Sequence, residues 1–260
     1  MSGEENLEQC SLDAFVGGKI SLFQPVNGYR ANVDSILLAA AVNAKEGESV
    51  LELGCGVGAV MLSLMSRING LNVVGIECQK QYAKLAIRNA AYNGFKAEII
   101  HCDIFSIPTA YKNLNYNHVI LNPPFFSSGS SMRMLESDKD TAKRELNHSL
   151  EQWLDLAIKR CSVKGEVVMI HQAERLGQII TIIEKRLGDI KILPISSFSG
   201  QHAKRIIVKG KKGSLAPLKL LTPLVMHKDS SIETSGTNYT ENAEGILRKG
   251  DGMNWGEQNW

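Results

Sequence analysis

The 260-residue sequence has no closely paired cysteines, no long apolar run and no large excess of either charge. Its five cysteines are widely spaced without a CxxC or CxxH pair, which argues against a disulfide framework and a zinc site. No apolar run approaches the roughly 18–20 residues of a transmembrane helix. The polar, acidic N-terminus is also unlike a secretory signal. We therefore expect a cytoplasmic protein with no membrane partner and no metal ion.

The near balance of charge, 29 Lys+Arg against 27 Asp+Glu, neither indicates nor excludes a nucleic-acid partner, because phosphate binding depends on local clustering. No acidic residue lies between Asp189 and Asp229. Eight basic residues lie there: Lys191, Lys204, Arg205, Lys209, Lys211, Lys212, Lys219 and Lys228. If they share one face, they form a phosphate-binding stripe with an exposed tip at Lys211-Lys212-Gly213. The alternative is a sheet edge that lysines protect from aggregation.

Short apolar runs alternate with helical patterns from residue 33 onward, which predicts an α/β fold with a mostly parallel sheet and helices on both faces. Strands are predicted at 49–53, 72–76, 97–101, 117–121, 166–170, 190–193 and 205–208, and helices at 33–44, 59–68, 79–92, 150–160 and 173–187. Prolines around residues 190–227 favour an antiparallel pair at one sheet edge. We expect an N-terminal hairpin cap (1–32), a main domain (33–228) and a polar, loosely packed extension (229–260).

A glycine-rich loop, LELGCGVG (51–58), follows the first strand of the predicted sheet and precedes a helix. Alternate glycines permit a tight turn and close approach of a ligand to backbone amides at the helix N-terminus. Glu77, at the end of the next strand, is placed to accept hydrogen bonds from ribose hydroxyls. Gly54, Gly56 and Ala59 also satisfy a dinucleotide fingerprint, so NAD stays open beside S-adenosylmethionine. The acid Glu52 and the third glycine, Gly58, favour the sulfonium cofactor over NAD and over a purely structural turn.

Asn122-Pro123-Pro124-Phe125 follows the predicted strand 117–121 and indicates a reaction. The two prolines fix φ and remove two backbone donors, so the Asn122 side chain and the Pro123 carbonyl would accept both hydrogens of a planar NH2 group. Phe125 would stack on the ring that carries this amine. The target would be an exocyclic amine or a carboxamide, whose delocalised lone pair needs such polarisation. A turn that only ends a strand is the alternative.

The glycine loop, Glu77, Asp103 and the NPPF tetrapeptide together resemble class I S-adenosylmethionine-dependent methyltransferases that methylate amino groups. QPVNGYRANVDSILLAA (24–40) and HAKRIIVKGKKG (202–213), together with YTENAEGILRKG (239–250), resemble more closely the bacterial family of valine-tRNA adenine-N6 methyltransferases. The resemblance implies a Rossmann-like, seven-stranded sheet with an antiparallel edge. It also implies an enzyme that uses S-adenosylmethionine and acts on RNA, most closely tRNA.

The resemblance assigns roles to individual residues. The methionine part of the cofactor would be held by Glu52, Gly54, Cys55, Gly56 and Gly58, the ribose by Glu77, the adenine by Asp103, and the target amine by Asn122, Pro123, Pro124 and Phe125. Position 52 is Glu where this pattern usually has Asp, which keeps the charge on a longer side chain. Phe125 stands where Tyr is commoner, which keeps stacking and loses a hydroxyl. Taken alone, Asp103 would also suit a helix cap or turn.

The substrate side is predicted from basic residues. RNA contacts are expected from Arg30, Arg133, Arg144, Lys204, Arg205, Lys211 and Lys212. Arg30 and Asp34 would border the cofactor mouth or form a surface ion pair. The segment 127–148 would be a substrate loop or an ordinary crossover. Two other functions stay open, namely methylation of a protein glutamine side chain and an RNA-binding module that keeps the cofactor fold without catalysis.

Overall fold

The computed structural model describes residues 10–124, 149–228, 238–253 and 255. Its strands are β1 (Cys10–Phe15), β2 (Ile20–Pro25), β3 (Ser49–Leu53), β4 (Asn72–Glu77), β5 (Glu98–His101), β6 (Tyr116–Leu121), β7 (Cys161–Gln172), β8 (Leu187–Ser196), β9 (Arg205–Lys212), β10 (Lys219–Leu220) and β11 (Leu224–Val225). Its α-helices are α1 (Val33–Ala41), α2 (Ala59–Arg67), α3 (Lys80–Tyr92), α4 (Thr109–Lys112), α5 (Leu150–Arg160), α6 (Leu176–Ile183) and α7 (Glu241–Glu244). None of these described helices is long and apolar enough to cross a membrane.

The main sheet has the strand order β10-β8-β9-β7-β6-β3-β4-β5, and β11 also pairs with β8. Seven of its strands have four or more residues, and β10 and β11 add two residues each. Strand β9 is antiparallel to both β7 and β8, whereas every other described pairing in this sheet is parallel. The parallel strands therefore share one carboxyl edge, where they end, and one amino edge, where they begin.

Helices cover both faces of this sheet, because successive strand side chains point to opposite sides. Val50 faces a cluster that includes residues of α1, α2 and α3, while Leu51 and Leu53 face the cluster that includes residues of α5 and α6. Trp153 of α5 is a large, fully buried side chain of the second cluster. This two-sided burial explains why the strands read as continuous apolar runs.

The N-terminal hairpin is present, since β1 pairs with β2 in antiparallel register. Helix α3 fixes it through two asparagines. The Asn89 side chain accepts from the Phe23 amide at 2.7 Å, and Asn93 accepts from the Ser21 amide at 2.9 Å. The hairpin is thus anchored to α3, on the face of the sheet that α1, α2 and α3 cover.

Residues near the C-terminus pack more tightly than expected. Ile246 and Leu247 are buried, and Trp255 is only 5% exposed. The indole of Trp255 donates to the Ala41 carbonyl at 2.9 Å, at the end of α1. The expectation of a loosely packed end is therefore wrong for these described residues, because sparse apolar side chains in a polar segment still fill a gap beside α1.

Candidate active site

The site lies where the connections reverse direction across the sheet. From β3 the chain proceeds outward to β4 and β5, whereas β6 pairs on the other side of β3. Ligands of open α/β sheets bind at the carboxyl edge beside such a switch point. The glycine loop follows β3 and Asn122 follows β6, so these two predicted motifs leave neighbouring strands at the same edge.

All three loop glycines adopt left-handed backbone conformations, with φ of 70° at Gly54, 54° at Gly56 and 86° at Gly58. Gly58 is the N-cap of α2. A Cβ at Gly54 would lie 3.0 Å from the Trp153 ring, so a side chain there would meet both strain and a close contact. Glycine is thus required by the backbone conformation of this loop. The Gly56 amide donates to Glu77 and the Gly58 amide to Cys55, and these bonds hold the loop in shape.

Glu77 connects the end of β4 to the glycine loop. Its Oε2 accepts from the Gly56 amide and its Oε1 from the Gln79 amide, both at 2.8 Å. The side chain is only 3% exposed. These two bonds hold both carboxylate oxygens beside the glycine loop. The arrangement suits the predicted role toward ribose hydroxyls.

Glu52 lies beneath the loop, with 2% of its surface exposed, and accepts from the Met61 amide at 3.0 Å. Burial, reinforced by the charge of Glu77, raises its pKa well above the usual value, against the lowering effect of the Met61 bond. The structure thus places this carboxyl against the first turn of α2. We expect Glu52 to affect the ammonium group of the cofactor indirectly, through the glycine loop.

The backbone of Cys55, and not its thiol, contributes to the site. Its amide donates to the Ile76 carbonyl at 2.9 Å, which ties the loop to β4. A Cβ at Gly75 would lie 2.9 Å from the Cys55 sulfur, so the thiol points into the sheet. Burial, with the charges of Glu52 and Glu77, raises the pKa of this thiol well above its usual value. A neutral, buried thiol of this kind is a packing group.

Asp103 stands at the end of β5, the next strand along the carboxyl edge. Its side chain accepts from the Phe105 amide at 2.8 Å and caps a short 3-10 helix. The capping alternative is therefore confirmed. The predicted contact of Asp103 with the adenine amino group stays a prediction.

Asn122, Pro123 and Pro124 follow β6 in non-helical backbone. Pro123 is buried, whereas Asn122 and Pro124 are partly exposed, so the amide side chain is held at the surface of the edge by a packed proline. Phe125, Arg133 and Arg144, with the predicted loop 127–148, lie outside the described residues.

The predicted surface pair between Arg30 and Asp34 does not form. Arg30 forms an ion pair with Asp13 of the hairpin and donates to the Pro25 carbonyl at 2.7 Å. Asp34 instead accepts from Arg205 Nε at 3.0 Å. Folding of the hairpin brings Asp13 to Arg30, although the two residues are distant in the sequence. Arg30 thus fixes the segment between hairpin and α1.

Tyr29 is a site residue that the sequence analysis missed. A Cβ at Gly56 would lie 3.7 Å from its ring, and the Tyr82 hydroxyl accepts from its amide at 2.8 Å. Partial burial and the nearby carboxylates of Glu52 and Asp34 raise its pKa to about 12. Tyr29 belongs to the segment 24–40, which carries the family resemblance but by itself predicts no role for this residue.

The predicted basic stripe divides between the two edges of the sheet. Arg205 pairs with Gln172 at the carboxyl edge, whereas Lys211 pairs with Glu166 toward the amino edge. Lys211 lies six positions after Arg205 along β9, a distance of about 20 Å. Lys204 is exposed beside Arg205 at the carboxyl edge. These residues therefore do not form one continuous exposed stripe, because Arg205 and Lys211 lie at opposite edges and Lys209 between them is buried.

Lys212 does not form an exposed tip either. Its ammonium donates to the carbonyls of Ile158 and Cys161, both at 2.8 Å, at the C-terminus of α5. Alternation along β9 sends Lys212 to the face opposite Lys211. The expected phosphate contact at Lys212 is therefore replaced by a helix-capping contact.

Among the residues that the structure describes, no cluster of three His, Cys, Asp or Glu side chains could hold a metal ion.

Residues 30–154 match the methyltransferase small domain family. Relatives include the tRNA1(Val) (adenine(37)-N6)-methyltransferase of Aliivibrio fischeri, which is 27% identical over 199 residues, 76% of this chain and 77% of that protein. The enzyme of the same name from Bacteroides fragilis is 24% identical over 206 residues, 77% of this chain and 86% of that protein.

Solved structures share the fold. A predicted O-methyltransferase from Agrobacterium tumefaciens has a TM-score of 0.65 at 24% identity and covers 84% of this chain and 97% of its own. M. jannaschii TYW2, solved in complex with AdoMet, has a TM-score of 0.54 at 15% identity and covers 81% of this chain and 88% of its own. These neighbours confirm the predicted fold class, and the domain match supports the predicted cofactor.

Proposed function

We propose that this chain, which is an S-adenosylmethionine-dependent methyltransferase of the class I fold, transfers a methyl group to the exocyclic N6 of an adenine in tRNA. One observation carries the proposal. The glycine loop after β3 and the Asn122-Pro123 segment after β6 leave directly paired strands. Paired strands lie about 4.8 Å apart, so a donor held by the first motif and an amine held by the second would be neighbours.

The described residues fit the cofactor. The positive φ angles of Gly54, Gly56 and Gly58 leave backbone where a side chain would otherwise stand. Glu77 lies at the end of β4 beside the loop, where it would meet the ribose hydroxyls, and Asp103 lies at the end of β5, where it would meet the adenine amino group. When bound, S-adenosylmethionine supplies an electrophilic methyl group.

Asn122 and Pro123 would prepare the acceptor nitrogen. The Asn122 side-chain oxygen and the Pro123 carbonyl each accept one hydrogen of the amine, which holds its plane and raises electron density on nitrogen. The nitrogen forms a bond to the methyl carbon as the carbon–sulfur bond breaks and its electron pair stays on sulfur. The nitrogen then loses one proton to water. The segment therefore supplies orientation and polarisation, and no residue needs to form a covalent intermediate.

Two features favour RNA over a protein glutamine as substrate. Relatives named tRNA1(Val) (adenine(37)-N6)-methyltransferase match about three quarters of the chain at 24–27% identity. Lys204, which is exposed, also stands at the same edge as Asn122, on the side of β7 and β9. Cationic groups beside the acceptor site attract a phosphate backbone and would give no advantage to a neutral carboxamide.

The test uses the full-length protein, radiolabelled S-adenosylmethionine and separate RNA and protein fractions of the source cells. Digestion of labelled RNA should release N6-methyladenosine. Label in glutamine of the protein fraction would overturn the RNA proposal in favour of the carboxamide reaction. If neither fraction is labelled although the protein binds the cofactor, catalysis itself is excluded and the non-catalytic module remains.

A further inference from the structure

Three aromatic rings stack outside the cofactor site, on the side of the sheet formed by β8 and β11. His227 lies between Phe198 and Tyr239, with ring centroids 5.3 Å and 5.1 Å away. The His227 and Tyr239 rings are nearly parallel, at 20°. All three residues are partly exposed, so the stack is a surface feature with open ring area.

The main chain holds this stack in place. The amides of Met226 and His227 donate to the carbonyls of Ser196 and Ser197, both at 2.9 Å. The Lys228 amide donates to the Asn238 carbonyl at 3.0 Å, which completes three adjacent segments. Because backbone bonds set the ring positions, a ligand would meet a preorganised platform rather than three independent side chains.

Exposed basic residues lie on the β8–β9 side of the rings, whereas the exposed acids Glu241 and Glu244 of α7 follow Tyr239. His202, Lys204 and Lys228 are exposed, and the sequence has no acidic residue from 190 to 228. Arg205, by contrast, is occupied by Asp34. The neighbourhood of the rings thus offers free cations at the carboxyl edge, whereas Lys211 and Lys212 are directed elsewhere.

The stack lies within reach of the proposed acceptor site along the same edge. From β6, which ends at Asn122, the sheet order passes through β7 and β9 to β8. Three strand spacings amount to about 15 Å, and the β11 side adds roughly one more. A short run of nucleotides could span this distance while one base occupies the acceptor site.

We propose that the aromatic-basic surface, formed by Phe198, His202, Lys204, His227, Lys228 and Tyr239, binds the single-stranded nucleotides that flank the methylated adenine. The inference rests on the proposed function and specifies where its RNA is held. Unstacked bases pack on aromatic rings whatever their sequence, while lysines contact the phosphates between them. Splaying the flanking nucleotides over this surface would help to expose the target base.

A paired charge reversal tests the phosphate contacts. Lys204→Glu/Lys228→Glu should weaken binding of a tRNA anticodon stem-loop at least tenfold and reduce the salt dependence by about one to two counterions. Lys185→Glu/Lys219→Glu makes the same change in net charge at exposed positions toward the amino edge and is the matched control. It should bind within twofold of wild type. Cofactor affinity and the thermal midpoint of both variants should match wild type.

Substitution of the rings tests stacking separately. Tyr239→Leu should weaken RNA binding about fivefold or more without changing the salt dependence, because it removes ring area and no charge. Tyr92→Leu removes an exposed tyrosine of α3 and serves as its control. The loss should be the same for oligonucleotides that differ in flanking sequence, since every base has a stacking face.

The outcomes separate this surface from the reaction. If the wild type methylates adenine but Lys204→Glu/Lys228→Glu binds RNA as well as Lys185→Glu/Lys219→Glu does, the aromatic-basic surface does not hold the RNA. The proposed function then stands. If RNA binding depends on Lys204 and Lys228 while label appears only in protein glutamine, the proposed function fails and an RNA-binding surface remains, without the flanking-nucleotide role. If the surface variants lose binding of a protein partner and not of RNA, the ligand assignment is overturned.

Discussion

The two edges of the sheet use polar residues in different ways. At the carboxyl edge, Glu77 and Asp103 accept from backbone amides and hold loops in shape. At the amino edge, side chains contact one another, as where His118 Nε2 lies 2.8 Å from Glu48. Lys209 likewise lies 3.7 Å from Glu166 and over the Trp255 ring.

This difference separates function from stability. Asn122 and Lys204 at the carboxyl edge keep exposure that a ligand can use, whereas the charges of Lys209 and Glu166 lie close together within the protein. We therefore expect substitutions at the carboxyl edge to change binding or rate, and substitutions at the amino edge to change the free energy of unfolding. The following experiments test this division.

The largest effect is expected at Asn122. Asn122→Ala should lower the rate of methyl transfer about a hundredfold or more, because one of two acceptors that polarise the amine is lost. Cofactor affinity, measured by calorimetry, should stay within about threefold. Asn72→Ala at the amino edge, whose side chain donates only to the Gly47 carbonyl, is the control and should retain full activity. Normal turnover of Asn122→Ala would contradict the mechanism.

His171 lies near the carboxyl edge, but we expect it to affect the free energy of unfolding. It is therefore an exception to the division between the two edges. Burial, with the charge of nearby Arg175, lowers its pKa from 6.5 to about 4. As the pH decreases, His171 is protonated in the unfolded chain before it is protonated in the folded chain. The free energy of unfolding therefore falls between about pH 6.5 and pH 4. The loss amounts to about 3 kcal/mol. Urea unfolding at pH 7 and pH 4 should show this loss in wild type and not in His171→Leu; equal losses would exclude His171 as the cause.

Two glycines with similar backbone angles compare the edges directly. Gly54 has φ 70° and would place a Cβ 3.0 Å from Trp153, whereas Gly94, after α3, has φ 72° and open space around it. Alanine at either position should cost about 1–2 kcal/mol of unfolding free energy from backbone strain. Only Gly54→Ala should also weaken cofactor binding, by tenfold or more. Equal cofactor affinity in both variants would show that the glycine loop does not hold the ligand.

The smallest effect is expected at Lys212. Lys212→Met should lower the free energy of unfolding by about 1 kcal/mol, because the carbonyls of Ile158 and Cys161 lose a charged donor. RNA affinity should not change. Lys211→Met, on the opposite face of β9, should change stability by less than about 0.5 kcal/mol. Weaker RNA binding by Lys212→Met would restore the stripe that the sequence predicted.

Sequence patterns predicted elements best where local signals agree. Helix α5 occupies Leu150–Arg160 as predicted, with Ser149 and Gln152 forming a capping box. Strand β7 is longer than predicted, Cys161–Gln172 instead of 166–170, because Gly165 and the polar residues before it resemble a turn. Helix α6 ends at Ile183, earlier than residue 187, because β8 takes Leu187 into its pairing with β9.

The sequence by itself determined the chemistry that depends on local backbone. The glycines at 54, 56 and 58 permit positive φ and the prolines at 123 and 124 fix φ wherever they occur, so the conformations of the glycine loop and of the segment after β6 could be predicted without a fold. The tertiary structure decided which residues meet across long separations. It paired Arg205 with Asp34, brought Trp255 to α1 and reversed β9, because these outcomes depend on strand direction and packing that no local pattern encodes.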